Sequence, residues 1–335
     1  MKYKGVIFDL DGTVLNTLLD LADSVNYALE QYGLQPIETE SYRYMIGHGF
    51  ANLIETSISA SIRKMQTSET AETVLARMEE KKPVLTDVAG IGELPAPEEP
   101  VSLEETLVPE HTPDPMPEED VLPSGRMTEA ERAALQRGVL EAFTEEYSRR
   151  YLRSTAPYPG IHAMLTHLAD AGVRIAVNSN KRDDYTKNLI SRNFPDLEWT
   201  CVLGGKEDIP KKPDPAGALL IAGEMNFRPK TVKVQEKTRT CGAAANPFET
   251  EEPKKGFFAG LFSRRKESED GEKRLMFTEM AYVGDSDVDI QTARNAGMAA
   301  IGVAWGFRGR QELEDSGADF IAEDPLQLEE YLLSE

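Results

Sequence analysis

Lys4-Gly-Val-Ile-Phe-Asp-Leu-Asp-Gly-Thr-Val14, almost at the start of the chain, is the stretch whose reading decides the fold. Val6, Ile7 and Phe8 form a short apolar run that reads as a buried strand, and polarity then changes abruptly. Asp9 and Asp11 follow two residues apart, so an extended backbone aims both side chains the same way. Gly12 permits a sharp turn and Thr13 places a hydroxyl on it. Two like charges held together are costly unless a cation or a reacting group uses them. Alone, the segment reads equally as a strand ending in a polar turn or as part of a catalytic site.

The 335 residues are enough for a sizeable core and one or two domains. A net charge of −21 argues against nucleic acid as the main partner, since phosphate backbones reward clustered Lys and Arg. Two cysteines, Cys201 and Cys241, are too few for a disulfide framework and lack metal-ligand spacing. Free thiols fit a cytoplasmic setting. Asp9 interrupts the first apolar run, so no signal-peptide core is expected, and no stretch is long enough to span a bilayer.

Downstream of Thr13, apolar residues at Leu18, Leu21, Ala22, Val25, Ala28 and Leu29 have helical spacing, with Gly33 as the stop. A short helix is expected around Ser41–Ile46. The loop Gly47-His-Gly49 then leads into another helix, Phe50 to about Met65. His48 is either a substrate contact or a solvated loop histidine. From Met127 to about Arg153 the pattern is helical again, with Leu135, Val139, Ala142, Phe143 and Tyr147 on one face. Further on, a helix over Ile161 to about Ala171 precedes a strand, Val173–Val177, ending in Asn178-Ser-Asn-Lys181. A helix (Tyr185–Asn193), a strand near Thr200–Leu203 and a helix from Ala216 to about Met225 follow. Strand Met280–Val283, helix Ile290–Ala296, strand Ala299–Val303 and a last helix near Leu326–Leu333 complete the pattern. Alternating strands and helices predict an α/β fold, a mostly parallel sheet with helices on both faces.

Two segments break this rhythm. Gln66–Gly125 carries fifteen acidic and three basic residues, a net −12 of the chain's −21, which leaves −9 elsewhere. Nine of the twenty prolines lie between Pro83 and Pro123. Apart from a helix-like piece at Thr70–Lys82, such a composition buries too little to offset ordering entropy, so about 83–124 is expected to be a disordered acidic insertion. The second break, about 229–275, has eleven basic and eight acidic residues and reads as a flexible insertion. Within it, 254–266 sets Phe257, Phe258 and Phe262 between basic flanks. Weak contact with a membrane surface or a protein is one reading of that peptide; a solvated linker is the other, and stable membrane insertion is not expected.

In open parallel sheets, function gathers beyond the carboxyl ends of the strands. Four such places carry chemistry: Asp9/Asp11, Ser179/Asn180, Lys211-Lys212-Pro213 and Asp285/Asp289. Together they supply two carboxylate pairs, a hydroxyl and a cation, which are the parts that phosphoryl transfer needs. One carboxylate serves as nucleophile and another as acid and base, while oxygen ligands hold Mg2+.

On these motifs the chain resembles the haloacid-dehalogenase-like hydrolase superfamily, and within it the phosphoglycolate phosphatases. Phe8-Asp-Leu-Asp-Gly-Thr13 resembles the first motif, Ser179 the second, Lys212 in Lys-Pro-Asp-Pro the third, and Val283-Gly-Asp-Ser-Asp-Val-Asp289 the fourth. The resemblance implies a Rossmann-like, doubly wound parallel-sheet core with an inserted α-helical cap. The core is expected at 1–15 and 156–335, and the cap at 16–155. It implies Mg2+ as cofactor, with Asp9, Asp11 (through its backbone carbonyl) and Asp285 as ligands and Asp289 in support. It makes Asp9 the nucleophile, Asp11 the acid/base, and Ser179 and Lys212 the groups that hold the phosphoryl. Thr13, Gly47, His48, Gly49, Asn180 and Lys181 become substrate-binding candidates. Asn16 departs from the family, many members of which have an acidic residue there. The implied activity is hydrolysis of a small phosphorylated metabolite through an aspartyl phosphate. Pyrophosphatase, nucleotide or sugar-phosphate phosphatase, phosphosugar mutase and a catalytically silent binding protein remain alternatives. No residue addresses the oligomeric state.

Overall fold

A computed structural model describes residues 1–68, 127–233 and 273–335. The expected helix at 70–82, the acidic insertion at 83–124 and the basic-aromatic peptide at 254–266 lie outside the described residues.

Six parallel strands form the central sheet: β1 (Gly5–Phe8), β4 (Arg174–Arg182), β5 (Cys201–Gly205), β8 (Met280–Gly284), β9 (Ala299–Val303) and β10 (Phe320–Ala322), in the order β10-β9-β8-β1-β4-β5. The remaining strands are short. β2 (Leu15–Asn16) pairs antiparallel with β3 (Ala156–Pro157), and β6 (Lys230–Lys233) with β7 (Lys273–Met276). β1 lies at the centre and all four of its residues are buried, as a strand covered on both faces requires.

Alternation along the strands divides the core in two. Val6, Phe8, Val177 and Val283 face a cluster with Leu165 and Leu168 of helix α4 (Ile161–Asp170) and Leu189 of α5 (Asp183–Asn193). Leu328 and Leu332 of α9 (Pro325–Leu333) join the same cluster. Ile7, Ala176 and Tyr282 face the opposite side, against Ile221 of α6 (Ala216–Glu224), Ile290 and Ala293 of α7 (Asp287–Ala296), and Leu313 of α8 (Arg310–Asp315). The sheet is therefore doubly wound.

A third cluster is built mainly from helices. It joins α1 (Leu18–Gln31), the 3-10 helix Thr39–Tyr44, α2 (Phe50–Ser68) and α3 (Glu129–Arg150) through Leu21, Val25, Leu29, Tyr42, Ile54, Val139, Phe143 and Tyr147. This is the inserted cap. The chain enters it along β2 and leaves along β3, and Asp20 ties the two crossings together. Its buried carboxylate accepts hydrogen bonds from Ser154 N, Thr155 N (2.9 Å) and the Thr155 hydroxyl (2.8 Å).

Four features depart from the sequence pattern. β4 runs through Ser179–Lys181 instead of stopping at Val177, with its pairing to β5 irregular between Asn178 and Arg182. The β6–β7 ribbon lies inside the segment read as a linker. α8 and β10 are also present, and both are too short to carry a periodic signal. Among the described residues, no helix is long and apolar enough to cross a membrane.

Candidate active site

The register of β1 pairs Phe8 with Val177 on one side and Val283 on the other. The residues beyond these three positions therefore emerge at one edge of the sheet. Asp9 follows β1, and its N–H donates to Val283 O at 2.9 Å. Asp285 follows β8, and Ser179, Asn180 and Lys181 sit in the irregular part of β4.

Asp9, Asp285 and Asp289 each turn a carboxylate oxygen to within 4.8 Å of the others, and all three are buried. Lys212, in the loop before α6, places Nζ 2.7 Å from Asp9 Oδ1 and 2.7 Å from Asp289 Oδ1. Asp289 is fixed from its other oxygen, which accepts from Ser286 N (3.1 Å) and the Ser286 hydroxyl (2.7 Å) at the start of α7. Asp289 thus holds both the lysine and the turn. Asp285 accepts from Phe307 N at 2.7 Å and from the Thr13 hydroxyl at 3.3 Å. Thr13 consequently supports this carboxylate.

Glycine makes the crowding achievable. A Cβ on Gly12 would fall 2.3 Å from Asp285 Oδ2, and Gly12 has φ +83°, the left-handed region that glycine tolerates. A Cβ on Gly306 would fall 2.2 Å from the Asp285 Cβ.

The electrostatics are strongly unbalanced. Burial pushes Asp9 up to about 7, with Asp289 and Asp11 adding to the rise and Lys212 opposing it. Burial also holds Asp285 well above the usual carboxylate range, and the charges of Asp289 and Asp9 act in the same direction. Lys212 is penalised by burial, yet Asp289 and Asp9 keep it well above the ordinary lysine value. Four carboxylates (Asp9, Asp11, Asp285, Asp289) against two buried lysines (Lys181, Lys212) leave two formal negative charges. Like charges ~4 Å apart repel by about 4 kcal/mol at an effective dielectric of 20, so a hard divalent cation fits this donor set. The all-oxygen ligands and the excess charge suit it equally.

Asp11 stands apart from that group. Its Oδ1 accepts from the Thr17 hydroxyl at 2.6 Å and lies 2.9 Å from Lys181 Nζ. Its Oδ2 has no partner among the described residues. Burial works against the Lys181 charge, but Asp11 and then Tyr147 hold the lysine above its usual value. Lys181 Nζ also lies 5.2 Å from the Tyr147 ring centroid and 5.7 Å from that of Phe50, so two cap aromatics flank it.

Asp9, Asp11, Ser179, Asn180 and Lys181 form the floor of a cleft of about 360 Å3, counting the solvent at its mouth. The cap supplies the roof through Leu21, Ile46, Gly47, Gly49, Phe50 and Leu53. Asn180 braces the junction: Nδ2 donates to Gly47 O (2.9 Å) and Lys212 O (3.2 Å), while Oδ1 accepts from Lys212 N (2.9 Å). Of the candidates read from sequence, His48 is exposed and does not line this cleft; its loop does so through Gly47 and Gly49. Thr17, Phe50, Tyr147 and Phe307 were not singled out as site residues. The Thr17 hydroxyl six residues after Asp11 carried a usable signal, whereas the others depend on how the cap docks.

Comparison with known proteins gives the family. The family model described as haloacid dehalogenase-like hydrolase matches residues 3–234, and a second, HAD-hydrolase-like, matches 253–328. The chain is similar to a phosphoglycolate phosphatase from Haemophilus influenzae, at 23% identity over 98% of this chain and 97% of the relative. A phosphoglycolate phosphatase from Psychrobacter arcticus is 22% identical over 98% and 95%. Among solved structures, a provisionally assigned phosphoglycolate phosphatase from Lactobacillus delbrueckii subsp. bulgaricus superposes with a TM-score of 0.61, at 25% identity and full coverage of both chains. A predicted phosphoglycolate phosphatase from Haemophilus somnus gives 0.59 at 20% identity, covering 98% and 97%. With a family model matching well over half of its length, the chain belongs to the haloacid dehalogenase-like hydrolases.

Proposed function

We propose that the protein is a Mg2+-dependent phosphatase of small cytoplasmic phosphomonoesters, similar to phosphoglycolate phosphatase, working through an aspartyl phosphate on Asp9. The observation that carries the reading is the division of labour between two carboxylates on one strand end. Asp9 is held by Lys212 within the carboxylate group, while Asp11 keeps Oδ2 free beside the cleft.

Asp9, Asp285 and the Asp11 backbone carbonyl would hold Mg2+, which when bound neutralises carboxylate and phosphate charge and orients the phosphoryl group. Asp9 attacks phosphorus and the bond to the leaving oxygen breaks. Asp11 Oδ2 gives its proton to that oxygen, then takes one from the water that hydrolyses the acyl phosphate. Lys212 and Ser179 bind the transferring oxygens. The cap roof, apolar at Leu21, Ile46, Phe50 and Leu53, excludes competing water.

The cleft also bears on the substrate. It is small, and Lys181 is the cation nearest to where a leaving group must sit against Asp11. A short leaving group with an anionic or strongly accepting oxygen fits such a chamber better than a nucleoside. The test is phosphate release from a panel of small phosphoesters, with and without Mg2+. Metal-dependent release, greatest for short carboxylate-bearing esters, supports the reading. Transfer to a second sugar hydroxyl without net phosphate release would make the protein a mutase.

A further inference from the structure

The cap loop and the core are joined by two arginines pointing in opposite directions. Arg43, in the cap's 3-10 helix, donates from Nη1 to Gly306 O of the core at 3.2 Å. Arg308, two residues further along that core loop, donates from Nη2 to the cap carbonyls of Tyr44 (3.0 Å) and Ile46 (3.3 Å). The Arg308 side chain is only 8% exposed, and its guanidinium lies 5.2 Å from the Tyr44 ring centroid. Between the two contacts, Phe307 buries its side chain in the hydrophobic cluster of the cap. The backbone N–H of this same Phe307 is the donor that holds Asp285 Oδ2 at 2.7 Å.

One short loop therefore grips the cap with side chains and orients the Asp285 carboxylate with its backbone. Gly306 has no room for a side chain on this face: an added Cβ would fall 2.2 Å from the Asp285 Cβ and 2.5 Å from Gly12 O. We infer that the Gly306–Arg308 loop couples cap docking to metal binding, with Arg43 and Arg308 as positioning residues that act through Phe307 on Asp285. Docking of the cap sets the Phe307 N–H, and a correctly set Asp285 binds the cation. By reciprocity, the bound cation favours the docked cap. The inference rests on Asp285 as a metal ligand, as proposed above.

Charge alone has the opposite sign. Once Asp285 is ionised, the positive charge of Arg308 beside it repels a second cation at the site. Removing that positive charge would therefore tighten Mg2+ binding if electrostatics were all that Arg308 supplied.

The experiment is Mg2+ titration by calorimetry on the full chain and on Arg308→Met and Arg43→Met, with amide exchange of the peptide 43–50 followed with and without Mg2+. Circular dichroism of the metal-free proteins verifies that each variant is folded. Arg43 makes its contact from the exposed side of the junction, so its variant stands in should Arg308→Met fail to fold. The expected result is Kd weaker by about fivefold or more in each folded variant. Mg2+ should also slow exchange in 43–50 of the parent chain and do so less in the variants. Unchanged or tighter Mg2+ binding in a folded variant, or exchange in 43–50 indifferent to Mg2+, overturns the coupling and leaves the proposed function standing. A parent chain that binds no Mg2+ would contradict the proposed function and the coupling together.

Discussion

Thr17 donates its hydroxyl to Oδ1 of Asp11 at 2.6 Å, and this bond decides which carboxylate oxygen is free to carry a proton. With Lys181 also on Oδ1, Oδ2 is the oxygen that the proposed acid/base role would use. Replacing Thr17 by Val keeps the shape and removes the donor. The Asp11 carboxylate then loses a fixed orientation, and kcat is expected to fall about tenfold or more, part of the 10²–10⁴ that a placed acid/base contributes. Mg2+ affinity should change little, because Thr17 bonds the Asp11 side chain rather than its backbone carbonyl and touches none of Asp9, Asp285 and Asp289. Steady-state kinetics beside a Mg2+ titration checks both halves.

Lys212 bridges Asp9 and Asp289 from a buried position. Lys212→Met leaves two buried carboxylates without their counter-ion, a change that costs about 3–5 kcal/mol when one partner of a buried pair is removed. Urea denaturation in the absence of Mg2+ should show the midpoint falling. Adding Asp289→Asn to the variant should recover part of the loss, since it removes one of the uncompensated charges. An additive double variant would show that the two residues do not interact.

The metal-free protein should lose stability as pH rises from acid toward neutrality. Burial raises Asp9 to about 7 from the ordinary aspartate value of 3.8, so the folded chain holds a proton that the unfolded chain has released between these values. Stability from this group therefore falls as pH rises from about 4 to about 7 and is then constant. Mg2+ must displace the same proton, so its affinity should rise with pH, the raised Asp285 carboxyl adding to the dependence. Calorimetric Kd values at pH 5.5, 6.5, 7.5 and 8.5 test the sign directly.

Lys181 should act on the leaving group more than on phosphorus. Its ammonium sits on Asp11 and against the cap rings of Phe50 and Tyr147, away from the Asp9–Asp285–Asp289 group. Lys181→Met is expected to lower kcat/KM for a carboxylate-bearing ester about tenfold more than for a neutral alkyl phosphate. Equal losses on both substrates would place the lysine with the phosphoryl group.

Much of this arrangement was legible from the order of residues. Val6-Ile-Phe8 and Met280–Val283 are continuous apolar runs that end in carboxylates, and a parallel sheet brings such ends to one edge. Asp9 and Asp285 follow from that, while Lys212 and Asp289 are read from the motif resemblance; the structure groups the three carboxylates and sets Lys212 between Asp9 and Asp289. β4 was harder to delimit, since Asn178-Ser-Asn-Lys181 is polar and reads as a loop although the backbone stays extended. The two-residue strands β2 and β3 are too short for any period to register. Phe307, Arg43 and Arg308 gain their meaning from tertiary contacts: each touches a group far away in sequence or across the junction of cap and core, which no local pattern encodes.

The central claim is that Asp9 is the nucleophile, and single-turnover kinetics on Asp9→Asn with Mg2+ present tests it most directly. The parent chain, quenched in acid, should carry one acid-stable, hydroxylamine-labile phosphoryl group on the peptide containing Asp9. Asp9→Asn should carry none and release no phosphate while keeping the native circular dichroism. Phosphate release from Asp9→Asn at a near-parental rate, or a phosphoryl group on another residue, would contradict the account.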